Sequence, residues 1–84
     1  MRIRNDLRLR RVDGKNFVVA IGEASKLFHG MMKLNDSAAL IFTVLQDGGD
    51  AAEALVKEYG IDPLQAQEDV QRVIKAFSEA GFFV

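Results

Sequence analysis

Residues 38–45, AALIFTVL, hold a single polar side chain, Thr43. A helix that apolar has almost no wet face, so other elements of the chain must cover it. Asn35 stands just ahead as a good N-cap, because its side-chain oxygen can accept the unpaired N–H groups of a first helical turn. Ala38, Ile41, Phe42 and Leu45 recur at helical spacing, Leu40 and Val44 widen the stripe, and Asp47-Gly48-Gly49 ends it. Before the corner at Leu34-Asn35-Asp36, residues 27–34 (LFHGMMKL) read as an extended segment interrupted by Gly30. Alternation puts Phe28, Met32 and Leu34 on one face of it and Leu27, His29, Met31 and Lys33 on the other.

The rest of the chain supplies the cover. Residues 7–12 (LRLRRV) begin with the apolar–basic alternation of a half-buried strand. Asp13-Gly14 is a two-residue turn signal, and residues 17–21 (FVVAI) read as the second strand of a hairpin. Residues 22–25 form a connection to the third strand at 27–34. After the apolar helix, a second helix starts at Asp50, with Glu53 as a variant capping box. It offers Leu55, Val56 and Tyr59 to the core and stops at Gly60. Asp62-Pro63 opens a third helix, with proline where its missing N–H costs nothing. Ala66, Val70, Val73, Ile74 and Phe77 give that helix a clear periodic stripe, Gly81 ends it, and Phe82-Phe83-Val84 fold back on the core. Three strands followed by three helices predict an α+β, winged-helix-like domain over residues 1–84: an antiparallel sheet layered against a helical bundle.

Composition narrows the function. The 84 residues include no cysteine, which removes disulfides and thiolate metal sites and fits a reducing cytoplasm. Nothing resembles a signal peptide, and the longest apolar run falls far short of the ~20 residues that span a bilayer, so no membrane partner is expected. Of eleven basic and twelve acidic residues, the first fifteen positions hold six and two, leaving five and ten for the remainder. A basic N-terminal segment therefore sits on an acidic body.

Catalysis has little to work with. His29 is the lone histidine, and Ser25, Ser37 and Ser78 have no evident acid–base partner. No second histidine or acidic cluster at ligand spacing accompanies His29, and the glycines form no phosphate-binding pattern. No enzymatic activity, metal or cofactor is expected. A DNA-binding transcriptional regulator is the alternative, because helix, short turn at Gly60-Ile61-Asp62 and helix beside a hairpin is a winged-helix skeleton. The third helix would then meet phosphates with Asp62, Glu68, Asp69 and Glu79 against only Arg72 and Lys75. Such a face repels nucleic acid. A three-stranded sheet instead leaves an edge that an extended peptide can complete, and Met31 and Met32 suit an adaptable groove beside it. A homodimer pairing its own open edges is a third possibility.

Phe28-His29-Gly30-Met31-Met32-Lys33-Leu34-Asn35, then Ala38-Ala39-Leu40-Ile41-Phe42, Leu55, Tyr59, Asp62, Ala66, Asp69-Val70, Phe77 and Gly81-Phe82 resemble the pyrroloquinoline quinone biosynthesis protein D (PqqD) family, from about Leu7 to Phe83. Its members are small winged-helix-like precursor-peptide recognition elements. The resemblance implies binding of the leader segment of a ribosomally made precursor peptide, added as a strand beside the third strand and against the third helix. It also implies presentation to a modifying enzyme, commonly of the radical S-adenosylmethionine type. A monomer or weak dimer is expected. Carried over by position, the strand side of the site is Leu27, His29, Met31 and Lys33. The helix side is Asp69, Arg72, Val73 and Ala76, which share one ridge.

Overall fold

The computed structural model describes residues 2–28 and 31–84. Strands β1 (Leu7–Val12), β2 (Lys15–Ala20) and β3 (Met32–Leu34) form one antiparallel sheet in the order β1-β2-β3. Helices α1 (Asp36–Gln46), α2 (Ala51–Tyr59) and α3 (Pro63–Glu79) follow, so the expected order of three strands and then three helices is the order found.

Asp13 and Gly14 both take positive φ, 51° and 74°, as a two-residue type I′ turn requires. That turn sets Val12 opposite Lys15 and carries the register down the hairpin, Arg10 opposite Phe17 and Leu7 opposite Ala20. Leu7, Val18 and Leu34 share the buried face of the sheet. The opposite face holds Arg8, Arg10, Val12, Lys15, Phe17, Val19 and Lys33, none of them buried.

The third strand is much shorter than residues 27–34 predict. A 3₁₀ turn at Gly22–Lys26 occupies the approach instead. Ser25 Oγ donates to the Gly22 carbonyl at 2.6 Å, and the Leu27 and Phe28 N–H groups both donate to the Ala24 carbonyl at 3.0 Å. Those bonds hold Leu27 in a helical conformation, so it is not a strand residue. Local hydrogen bonding outcompetes the weak strand preference of a Gly- and Met-containing run.

The helix signals act as read. Asn35 accepts from the Ala38 N–H at 2.8 Å, Asp50 from Glu53 at 3.1 Å, and Asp62 from Leu64 and Gln65 at 3.1 and 3.4 Å. Glu53 does not close a capping box; its carboxylate pairs with Lys57 at 2.8 Å. In α1, Ile41 and Phe42 are buried, and Phe42 meets Phe77 of α3 and Phe82 edge-to-face, with ring centres 6.0 Å apart in each case. Tyr59, expected in the core, is 46% exposed. It is the last residue of α2, at the rim of the bundle, where its hydroxyl can stay hydrated.

The ends of the described chain are paired with each other. Ile3 forms an antiparallel bridge with Phe83, the Arg4 N–H donates to the Phe82 carbonyl at 2.8 Å, and the Val84 N–H donates to the Arg2 carbonyl at 3.0 Å. Phe82 is buried as expected, and Ile3, which no periodic pattern marks, joins it in the core.

Candidate functional site

The sheet has two outer edges, and they are not equivalent. The two-residue turn makes Val12 and Lys15 a hydrogen-bonded pair, and the Ile21 N–H donates to the Asp6 carbonyl at 2.9 Å in the same phase. Alternation then points Leu7 and Leu9 outward from β1. Their carbonyls are occupied: Gln46 Nε2 donates to Leu7 at 2.9 Å, and Arg10 donates to Leu9 at 3.2 Å. On the other side, Asn16 and Val18 of β2 bond to Leu34 and Met32, which leaves Lys33 with its N–H and C=O directed away from the sheet. Neither group of Lys33 has a partner among the described residues. Arg11 also faces outward from β1 without a main-chain partner among the described residues, so both edges are open in part, and the β3 edge offers one residue's main chain rather than eight.

An apolar groove of about 370 Å³ lies on the inner side of this edge. The sheet contributes Leu7, Val18, Ala20 and Met32 to it; Leu27, Phe28 and Met31 form one wall, and Ala80 and Phe82 form the other. The walls are tied together, because Phe28 stacks edge-to-face on Phe82 at 6.0 Å. Gly81 sets up the turn into Phe82 with φ 81°, a left-handed conformation that L side chains rarely adopt. Leu27 and Met31 are 63% and 66% exposed, and Met32 is 41% exposed. Apolar side chains this bare, gathered round a concavity beside an unpaired strand edge, make a docking surface.

Of the eight residues singled out in the sequence, Leu27 and Met31 line this groove, and Lys33 lies at its edge with an exposed side chain. His29 falls outside the described residues. The four on α3 lie apart from the groove, which α3 reaches only through Ala80 just past its end. Asp69 is engaged within its own helix, accepting from Gln65 Nε2 and Arg72, both at 2.9 Å. Those hydrogen bonds, Gln65 first, hold its carboxyl below the ordinary carboxylate range. Val73 packs partly against the core, and Ala76 is exposed. Alternation sets Leu27, Met31 and Lys33 opposite Phe28 and Met32, but the turn at residues 22–28 brings Leu27, Phe28, Met31 and Met32 into one lining and leaves the Lys33 side chain on the other face; Ala80 and Phe82 join them from the far end of the chain.

Among the described residues, no group of His, Asp or Glu side chains could hold a metal ion, and no helix is long and apolar enough to cross a membrane.

An open-edged three-stranded sheet layered on three helices defines a winged-helix-like α+β domain. The family model described as coenzyme PQQ synthesis protein D (PqqD) matches residues 9–82, and the chain belongs to this family. Two solved structures share the fold. One is a lasso peptide synthetase B1 complexed with the leader peptide, 26% identical, with 99% of this chain and 95% of that chain covered and a TM-score of 0.74. The other is TbiB1 in complex with the TbiA(beta) leader peptide, 15% identical, with 99% and 94% covered and a TM-score of 0.76. No curated protein matches the chain.

Proposed function

We propose that this chain is a single, non-catalytic recognition domain over residues 1–84 that holds the leader segment of a ribosomally made precursor peptide. The leader adds to the sheet at Lys33, and its inward side chains enter the groove walled by Leu27 and Met31. His29, between them in the sequence, belongs to the same set. Asp69, Arg72, Val73 and Ala76 form a further contact along α3 for the part of the leader that runs beyond the groove. The domain needs no cofactor of its own. It works in the cytoplasm as a monomer or weak dimer, and presents the peptide to a modifying enzyme of the radical S-adenosylmethionine type.

One observation carries this reading: the unpaired main chain of Lys33 borders an exposed apolar groove. A backbone donor and acceptor left open beside apolar pockets is the surface that strand addition uses. The bound leader peptides of the two structural neighbours support the same reading.

Titration of the isotope-labelled domain with the precursor encoded beside its gene tests the proposal. The amides of Met31–Leu34 and of the groove residues shift. Shifts confined to the β1 edge or the far side of the bundle overturn it.

A further inference from the structure

The N-terminal segment carries an excess of positive charge, and the fold sorts that charge. Arg4 pairs with Asp6 at 2.9 Å, and Arg11 lies 3.4 Å from Asp36. Arg8 and Arg10 have no carboxylate partner among the described residues; their guanidiniums turn to main-chain carbonyls. Both lie on the uncovered face of the sheet, with Lys15 and Lys33 on the same face. No strand position on that face is acidic. Register sets Arg10, Phe17 and Lys33 in one row across the three strands. The next place in the row, beyond Lys33, belongs to whatever strand is added.

An added strand, whichever way it runs, places the residue aligned with Lys33 on the same face as the Lys33 side chain. Its neighbour aligned with Met32 points to the opposite face, into the apolar groove. Side chains directly opposite across a strand pair stand about 5 Å apart at Cβ, close enough for charge to select. We infer that the segment recognised at this edge alternates in character, with a carboxylate aligned with Lys33 and an apolar residue aligned with Met32. Lys33 is then a specificity-determining residue, reading charge on the outer face while the groove reads hydrophobicity on the inner one. Lys33 acts on this position at closest range, whereas Lys15 on β2 and Arg8 and Arg10 on β1 stand about 10 and 14 Å away, where salt largely screens them. A nucleic acid meets the charge requirement but brings no N–H and C=O pair for Lys33, so the acidic ligand is a peptide.

This inference rests on the strand-addition reading, and a test can separate the two. Random peptides of about nine residues, the length of an ordinary strand, are displayed and selected on the intact chain and on its Lys33→Glu variant. The wild type enriches acidic residues immediately next to an apolar one, and Lys33→Glu loses that enrichment or reverses it toward Lys and Arg. A selected acidic peptide binds Lys33→Glu about 5- to 10-fold more weakly at low salt, and the gap narrows as added salt screens it. Its binding shifts the amides of Met31–Leu34. If selected peptides shift those amides but show no charge preference and bind both proteins alike, strand addition stands and the inference fails. If they leave those amides unmoved, strand addition fails and the inference falls with it.

Discussion

Asn16 Nδ2 donates to Asp36 Oδ1 at 2.8 Å, across the corner where β3 becomes α1. Asn16 is 5% exposed, and it also donates to the Leu34 carbonyl at 3.4 Å and accepts from Arg11 at 2.9 Å. One amide thus ties the hairpin to the end of β3 and the first turn of the apolar helix. The open edge keeps its place because this knot holds it from behind.

Replacing Asn16 with alanine removes both donations and the acceptor. The expected loss is about 2 kcal/mol, in the range for a buried polar group and the partners it leaves behind. Urea denaturation measures it, and faster amide exchange at Met32–Leu34 accompanies it.

Asp36 has its pKa lowered by the hydrogen bond from Asn16 and then by Arg11, and Asp6 has its pKa lowered by the hydrogen bond from Arg4. A carboxyl held below its unfolded-state pKa contributes stability that is present above the unfolded value and is lost as pH falls through the folded one. The denaturation midpoint is therefore level through neutral pH and declines below about pH 4. Asp36→Asn flattens part of that decline.

Lys33→Pro deletes the outward N–H of β3 and spares the bonds that Met32 and Leu34 make to β2. Proline is tolerated on an edge strand whose N–H faces solvent. Measured against Lys33→Ala, which loses the same charge, peptide affinity drops about 5- to 10-fold, the worth of one main-chain hydrogen bond, while the thermal midpoint moves little. Met32→Pro breaks the sheet's own ladder and lowers stability instead. Calorimetric titration beside thermal melts separates the two effects.

Leu27→Ser and Met31→Ser remove apolar surface that is already bare in the free protein. Each leaves stability within about 0.5 kcal/mol of the wild type and weakens peptide binding several-fold. Fluorescence anisotropy with a labelled leader reads the second effect, and equal losses of stability and affinity would place these side chains in the core.

The hairpin, the three helices and their caps were legible because each rests on signals a few residues long. Asp13-Gly14 dictates its turn, and Asn35, Asp50 and Asp62 cap the helices that follow them. The third strand was legible in position but not in extent, because the bonds to the Ala24 carbonyl that curl residues 22–28 compete with a run of weak strand formers. Ile3 gave no sign of burial, since its partner Phe83 lies at the far end of the chain. Of the groove, Leu27 and Met31 were legible through the family resemblance and not from alternation, which sets them opposite Phe28 and Met32 although all four line it; the wall made by Ala80 and Phe82 depends on how α3 ends. The acidic face of α3 was plain in the sequence, whereas the sorting of arginines between ion pairs and the open sheet face needed the register.

The brevity of β3 governs how long an occupant stays. With only Lys33 offering its main chain, backbone docking contributes two hydrogen bonds, about 1–3 kcal/mol net, where micromolar affinity needs about 8 kcal/mol. Side chains must supply the remainder, and a micromolar complex formed at ordinary association rates dissociates within about a second. An edge this short therefore favours rapid exchange of its occupant over storage.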